Sequence, residues 1–249
     1  MSIYFLKVVA LISMLLDHIN EVFHLNIDIF TLIGRISFPL FAFSFAEGCH
    51  HTKHPGRRTV RLVIFTLLSE PCFNFALNIN NWIRVVQRSE EITLFTFPRF
   101  RNVMTTLLIS TLVIIAEKIY HSKIALKIAI FIAGMFLAEM LHSDYGAWGV
   151  FLVVGFYFFN SKKWNVVLTF IWCILFYLGY ASWNGITFMW WGSHPSYFYI
   201  FQWFFSCISI LLILLYNGKL GRKQGIGFYV FYPLHLLCLG IIREIIYFM

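Results

Sequence analysis

The chain has 249 residues, of which 60% are apolar and 12% are charged, whereas soluble domains are about 45–50% apolar and about 25% charged. These values, with a mean hydropathy of +0.77, exclude a disordered chain, a collagen and a secreted disulfide scaffold. They also argue strongly against a soluble enzyme, because too few polar residues are present to cover a soluble surface. The predicted fold class is an all-α, polytopic transmembrane helix bundle that forms a single integral membrane domain over residues 1–249.

Nine apolar segments are predicted to span the bilayer, because each is close to the roughly 20 residues that a bilayer core requires. The predicted spans are 3–24, 29–47, 59–79, 102–118, 124–141, 146–160, 164–183, 197–216 and 226–247. The sixth span is short, which indicates a tilted or partly buried helix. Residues 80–101 mix charged and apolar side chains, which is compatible with a tenth, re-entrant segment or with an amphipathic segment on the membrane surface.

The basic residues predict the orientation. With nine spans and a cytoplasmic N-terminus, 13 lysines and arginines fall on the cytoplasmic side and five on the other, with Arg35 set aside inside the membrane. The positive-inside rule therefore predicts a multi-pass protein with its N-terminus in the cytoplasm. The net charge of +8 is attributed to these loops. Nucleic-acid binding is not expected, because no basic stripe with interleaved aromatics lies outside the apolar segments.

A polar stripe in the first span is the first candidate site, because charged groups inside a membrane are costly and by default mark function. Within LLDHINEVFHL, Asp17 shares a helical stripe with Asn20, Glu21 and His24, and His18 flanks it. A carboxylate and a histidine form the basic unit of general-base catalysis. Adjacent helical residues do not face each other, so Asp17 can instead pair with another helix. Solvated polar residues at an interfacial helix end are the structural alternative.

The second candidate site is Arg35, within IGRISFPLFAFSFAEG. An arginine inside an apolar helix needs a partner, and Asp17, Glu47 and Glu70 are the candidates, as is an anionic group of a ligand. Pro39 is predicted to kink this helix and to release a carbonyl group. A purely structural ion pair is the alternative to a binding role.

The third span carries Glu70, Asn74 and Asn78 at four-residue spacing. This spacing predicts a polar face directed into the bundle, which serves either function or interhelical hydrogen bonding.

The last span contains FYPLHLL, in which Tyr232 and His235 share a face and Pro233 bends the helix between them. A histidine in such a place is either a hydrogen-bonded core residue or a functional group.

The loop after the second span is basic and contains Lys53, Arg57, Arg58 and Arg61. It either determines topology or docks a polyphosphorylated ligand or anionic lipid. The histidines of this loop lack a convincing metal-ligand spacing, and the five scattered cysteines are interpreted as buried thiols, so no metal is predicted. SDYGAWG is predicted to form a tight turn. Walker A, GxSxG, HExxH and GxGxxG motifs are absent from the sequence, which disfavours ATP-driven transport and protease chemistry.

Several of these segments together resemble the TraX family. The resemblance runs in order along about residues 5 to 240 and is carried by DHIN with FHL, by GR-x-x-FPLFAF, by the DYG-x-x-G turn and by FYPLHLL. It implies a bacterial inner-membrane acetyltransferase that uses acetyl-CoA as donor and acetylates the N-terminus of pilin during conjugation. Membrane lipids and pilin, or another cell-envelope acceptor, are the partners that it implies.

More distantly, the FPLFAF helix and the terminal Y-x-x-H helix look like the membrane acyltransferases that acetylate cell-surface sugars. This resemblance implies that Asp17 and His18 act together as the general base and that His235 is a second catalytic group. It also implies that Arg35 is a donor-binding or site-organising cation. Two alternatives are kept: a proton-coupled transporter with a relay through these groups, and a non-enzymatic assembly factor that binds pilin-like helices.

Overall fold

The computed structural model describes residues 1–77, 101–120, 123–178, 196–222 and 225–248. All regular secondary structure in these ranges is helical, which confirms the predicted all-α class. The helices are α1 (Ile3–Val22), α2 (Asp28–Gly34), α3 (Ser37–His50), α4 (Pro55–Leu77), α5 (Val103–Ile119), α6 (Ile124–Met140), α7 (Gly146–Phe158), α8 (Lys162–Cys173), α9 (Ser196–Leu214) and α10 (Gly227–Phe248). A π-helical turn, Ile174–Leu178, continues α8.

Among the described residues, four helical segments are long and apolar enough to cross a bilayer: Ile3–Val22, Asp28–His50, Pro55–Leu77 and Gly227–Phe248. Shorter apolar helices lie at Gly146–Phe158 and Phe198–Leu214, and the brevity predicted for the sixth span is confirmed by the 13 residues of α7. The total number of spans stays a prediction. The segment interpreted as re-entrant or amphipathic lies outside the described residues, apart from Arg101.

The second predicted span is divided into α2 and α3 by a break at Arg35 and Ile36. At this break the Arg35 and Ile36 amides donate to carbonyl oxygens only three residues back, those of Leu32 and Ile33, at 3.2 and 3.1 Å. Pro39 has no N–H and cannot donate to the Arg35 carbonyl four residues earlier, so the helix is interrupted one turn before the proline. The predicted kink is thus a break that places Arg35 between two helices.

The chain divides into two compact units. Unit 1 consists of the described parts of Met1–Asn20, Leu25–Gly48 and Gly155–Lys223. Its core contains Trp172, which packs on Phe38 at 5.5 Å and stacks on Phe176 at 4.8 Å between ring centroids. Phe43 makes edge contacts with Phe156 and with Tyr216, at 5.5 and 5.3 Å.

Unit 2 consists of the described parts of Glu21–His24, Cys49–Val154 and Gln224–Met249. Helices α4 and α10 pack side by side and run parallel. In their N-terminal halves the ring centroids of Phe65 and Tyr229 lie 5.6 Å apart. Near their C-terminal ends Arg243 donates to the carbonyl groups of Phe75 and Ala76. Helix α5 packs on both α4 and α6. The single-domain assignment stays a prediction.

Candidate functional site

In unit 1, Arg35 and Asp17 form a buried ion pair. Arg35 Nη2 donates to both carboxylate oxygens of Asp17, at 3.1 Å to Oδ1 and 2.9 Å to Oδ2. Arg35 Nε donates to the Thr31 carbonyl at 3.1 Å. The side chains are 3% and 19% exposed, respectively, so the charges compensate each other away from water. Of the three partners considered for Arg35, the structure brings Asp17 to it.

The other two carboxylates have different partners. Glu47, in unit 1, accepts a hydrogen bond from the Tyr216 hydroxyl at 3.3 Å. Tyr216 lies two residues beyond the end of α9 and is buried. Glu70 is bound within unit 2, as described below.

Two neighbouring features fix the approach of α1 to α2. A Cβ atom on Gly34 would lie 2.5 Å from Cβ and Cγ of Asp17, so the helices can approach this closely because residue 34 has no side chain. Asn20 Nδ2 donates to Thr31 Oγ1 at 2.9 Å, and Asn20 Oδ1 accepts from the Ile27 amide at 2.9 Å. The Asn20 side chain therefore ties the end of α1 both to the connecting segment and to α2.

His18 is half-buried and follows Asp17 on α1. Adjacent side chains on a helix diverge by about 100°. The Asp17 carboxylate contacts Arg35, and the His18 imidazole therefore points in a different direction. The interhelical partner that the sequence left open for Asp17 is therefore Arg35.

Tyr177 is a residue of this site that the sequence interpretation missed. It is 3% exposed and lies within electrostatic range of Arg35 and Asp17, beside Ser206. It sits in the π-helical turn, a deviation from regular helix that is frequent at functional sites. Asn165, Thr169, Cys173 and Tyr177 recur at every fourth position, which was the available signal. The apolar composition of the segment concealed it.

In unit 2, a second polar cluster surrounds Glu70. The carboxylate accepts from Asn74 Nδ2 at 3.1 Å, from Asn102 Nδ2 at 2.5 Å and from the Arg101 amide at 3.4 Å. Glu70 and Asn74 are 6% and 5% exposed, so the predicted inward polar face exists. Asn78 lies outside the described residues.

Asn102 connects this cluster to the start of α5. Its Oδ1 accepts from the Thr105 amide at 3.1 Å, so Asn102 is the N-cap of α5. The residue is fully buried. The positive end of the α5 dipole therefore faces the Glu70 carboxylate inside the protein. The sequence interpretation missed Asn102, because it was placed at the first position of an apolar span.

Tyr232 and His235 lie together on α10, as predicted. Their rings are 5.6 Å apart, and the two side chains are 3% and 7% exposed. Tyr232 Oη accepts from the Val103 amide at 3.4 Å, and Tyr232 is within electrostatic range of Asp144, Glu70 and Glu21.

His235 Nδ1 lies 2.8 Å from the Phe231 carbonyl oxygen. A carbonyl can only accept, so Nδ1 carries the proton and Nε2 of the neutral ring is the basic nitrogen. The geometry thus selects the tautomer that can take a proton at Nε2.

The turn between α6 and α7 is confirmed. His142 and Tyr145 have φ values of 53° and 62°, and Gly146 has a φ of 46°. A Cβ on Gly146 would meet the Glu139 carboxylate, which accepts from the Ala147 amide at 3.0 Å. The Thr106 hydroxyl, in α5, donates to the Asp144 carbonyl. The turn is therefore fixed to the helix that starts at the Glu70 cluster.

Of the residues predicted to form a basic loop, only Lys53 lies in the connection before α4, and Arg57, Arg58 and Arg61 lie in the first turns of α4 in unit 2. Lys53, Arg57 and Arg61 are exposed, whereas Arg58 is half-buried and donates from Nη1 to Thr52 Oγ1 at 3.3 Å. Three of the four predicted anion-binding residues are thus accessible to a charged ligand or lipid headgroup. Within the described residues, no group of three His, Cys, Asp or Glu side chains is arranged to hold a metal ion.

Comparisons with known proteins give a family and a relative. A family model described as "TraX protein" matches residues 2–243. The chain is 26% identical over 246 residues to the "Probable fimbrial assembly protein FimC, serogroup H1" of Dichelobacter nodosus, an alignment that covers 95% of this chain and 94% of the relative. No solved structure matches the chain.

Proposed function

Because the chain belongs to the TraX protein family, we propose that it is a membrane-embedded acetyltransferase that moves an acetyl group from acetyl-CoA to an amine. The proposed acceptor is the N-terminus of pilin or a related cell-envelope group. The family and a relative named as a fimbrial assembly protein support a pilin-related role. The structural observation that carries the proposal is the buried Arg35–Asp17 pair next to His18 in an apolar helix.

His18 is the proposed general base. The acceptor nitrogen attacks the carbonyl carbon of the thioester, so that a C–N bond forms and the C–S bond breaks. His18 takes the proton that the nitrogen loses and returns it to the leaving sulfur, which departs as a thiol. Histidine is suited to this exchange because the neutral imidazole ring carries both a proton acceptor and a proton donor.

The ion pair gives Asp17 and Arg35 organising roles. Asp17 holds Arg35 through two hydrogen bonds, and Arg35 also binds the carbonyl of Thr31. This arrangement fixes α1 against α2 and presents His18 from a rigid segment. Arg35 is the proposed site-organising cation, and it contributes positive potential for the acyl carbonyl.

The residues of unit 2 supply further proposed roles. His235 is a second proton acceptor through Nε2, since Nδ1 is committed to Phe231. Tyr232, Glu70 and Asn74 hold the start of α5 in place and bind substrate groups. The exposed Lys53, Arg57 and Arg61, with Arg58, dock the phosphates of the donor or anionic lipid.

The proposed location is the bacterial cytoplasmic membrane, with several passes and a cytoplasmic N-terminus. Four helices of sufficient length and apolarity support it. Large apolar side chains such as Ile12, Leu67 and Ile245 are exposed on α1, α4 and α10, as expected of helices that face lipid tails rather than water.

Reconstitution in liposomes with labelled acetyl-CoA and a pilin-like peptide tests the proposal. The wild type is expected to release CoA thiol and to label the peptide, and His18→Ala is expected to lose at least about 100-fold in rate, the usual contribution of a general base. Thr111→Val is the matched control, because Thr111 is buried in α5 and donates to the Leu107 carbonyl of its own helix. Release of thiol that survives His18→Ala unchanged would contradict the assignment of the base.

A non-enzymatic assembly factor is the second candidate, and the name of the Dichelobacter nodosus relative favours it. Such a protein would bind the pilin-like peptide in the same liposomes without forming a thiol. It would also keep that binding in His18→Ala. Peptide binding without acetyl transfer would therefore decide for this candidate.

A further inference from the structure

A line of buried polar side chains runs between α8, with its π-helical turn, and α9 in unit 1. We call it the polar seam, and its members are Asn165, Thr169, Cys173 and Tyr177 on one side and Gln202 and Ser206 on the other. All six are at most 4% exposed. The two sides meet where Cys173 Sγ donates to Ser206 Oγ at 3.4 Å and where Tyr177 lies beside Ser206.

Three atoms of the polar seam lack a hydrogen-bond partner among the described residues: Asn165 Oδ1, Gln202 Nε2 and Tyr177 Oη. All three are shielded from solvent, and a buried polar atom left unpaired is destabilising. Native proteins seldom keep such atoms unless a ligand or ordered water meets them. The seam therefore offers an acceptor at Asn165, a donor at Gln202 and a hydroxyl group at Tyr177 to an occupant that carries both donors and acceptors.

One end of the polar seam lies near the Asp17–Arg35 ion pair. Tyr177 lies within electrostatic range of Asp17 and Arg35. Asn165 lies 12 residues before Tyr177, which is about 18 Å along the helix axis. An extended chain of about five peptide-sized units spans that distance.

The other end of the polar seam is basic. Tyr216, two residues after α9, and Phe156, near the end of α7, both pack on Phe43. The end of α9 therefore lies close to the start of α8. Four exposed cations lie in the segments that start and end there, and we call them the basic rim: Lys162, Lys163, Lys219 and Arg222. The start of α1 joins the same end, because the Ile3 amide donates to the Lys219 carbonyl at 3.0 Å.

We propose that the polar seam binds the amide-bearing pantetheine arm of a CoA thioester, with the phosphates on the basic rim and the acyl group toward Tyr177 and Arg35. This inference rests on the proposed acetyltransferase function and names the path of its donor. An amide N–H of the arm donates to Asn165 Oδ1, and an amide carbonyl accepts from Gln202 Nε2. The basic residues from Lys53 to Arg61 then bind anionic lipid rather than the donor.

Binding of labelled CoA to the reconstituted protein tests the inference, with pantetheine and adenosine 3′,5′-bisphosphate as competitors. Asn165→Leu and Gln202→Leu are each expected to weaken competition by pantetheine about fivefold to tenfold, as expected for one lost hydrogen bond. They leave competition by the bisphosphate unchanged. Lys162→Gln with Lys163→Gln is expected to weaken the bisphosphate and leave pantetheine unchanged. Thr111→Val is the control for a buried polar-to-apolar change.

A second measurement needs no variant. A CoA analogue with a photoreactive group on the pantetheine arm is expected to cross-link the wild type within Lys162–Leu178 or Ser196–Leu214, as located by mass spectrometry. Cross-links outside these segments, together with Leu variants that bind pantetheine as the wild type does, would overturn the inference and show that the seam holds water. Loss of CoA binding in the double variant Lys53→Gln with Arg57→Gln, together with unchanged binding in Lys162→Gln with Lys163→Gln, would also overturn the inference. A wild type that binds no CoA would instead refute the proposed function itself.

Discussion

Arg35 Nη2 bonds both carboxylate oxygens of Asp17, from the short break that separates α2 from α3. The break exists because Pro39 cannot complete the helix through Arg35. One sequence feature, a proline four residues after an arginine, therefore both interrupts a membrane-length helix and delivers a cation to the carboxylate of the preceding helix. His18 is presented next to this junction.

Breaking the pair from one side is expected to be costly. Asp17→Asn removes the carboxylate charge that is paired with the 3%-exposed Arg35 guanidinium, and removal of one partner of a buried pair costs about 3–5 kcal/mol. The double variant Asp17→Asn with Arg35→Gln is expected to recover part of that loss, because no unpaired charge remains buried. Denaturant unfolding in detergent micelles measures both. Strictly additive costs would show that the two groups do not interact.

Gly34→Ala is expected to separate α1 from α2. The added methyl group would meet Asp17 Cβ at 2.5 Å, and overpacking of this kind costs about 1–3 kcal/mol. Gly56→Ala is the matched control, since nothing lies within 4 Å of a Cβ at that position. The midpoint of thermal unfolding is expected to fall for the first variant and to stay within a degree or two for the second. Equal midpoints would mean that the close approach at Gly34 is not required.

Asn102→Ala is expected to unravel the buried start of α5. The change removes an N-cap, worth about 1–2 kcal/mol, and also the bond to Glu70. Hydrogen exchange at the amides of residues 103–106 measures the opening directly. The exposed N-cap Ser161 of α8, which accepts from the Trp164 amide, gives the comparison. Ser161→Ala is expected to cost less, and a larger effect there would contradict the role of Asn102 as a buried connection.

His235→Asn and His235→Gln separate structure from proton transfer. The asparagine amide can replace Nδ1 as donor to the Phe231 carbonyl, whereas glutamine reaches toward the position of Nε2. The asparagine variant is therefore expected to be more stable than the glutamine variant by about 1 kcal/mol, the contribution of one hydrogen bond. Both are expected to lose acetyl transfer, since neither accepts a proton. Full activity in the asparagine variant would remove His235 from the chemistry.

Hydropathy alone predicted the helices well, because length and apolarity determine which segments can enter a bilayer. The first span was predicted at 3–24 and α1 is Ile3–Val22; the last was predicted at 226–247 and α10 is Gly227–Phe248. The polar groups within these spans were found for the same reason, since they interrupt an apolar pattern. Asp17, Arg35 and Glu70 are examples.

The pairing of those groups could not be predicted from the sequence. Arg35 had three candidate carboxylates, and the choice depends on the break before Pro39 and on the missing side chain of Gly34, which are features of packing. Asn102 and Tyr177 were missed because polar residues in an apolar segment do not reveal which helix they face. Periodicity gives the face of one helix, whereas hydrogen bonds between helices depend on how the helices are arranged.

The most direct test of the central claim is the fate of the acetyl label on a defined amine. Liposomes with the wild type, labelled acetyl-CoA and a pilin-like peptide are expected to yield a peptide with one acetyl group on its N-terminal nitrogen, located by mass spectrometry. A peptide with a blocked N-terminus is expected to stay unlabelled, and His18→Ala is expected to label neither. Folded wild-type protein that leaves the open peptide unlabelled while binding it would contradict the account and decide for a non-enzymatic assembly factor.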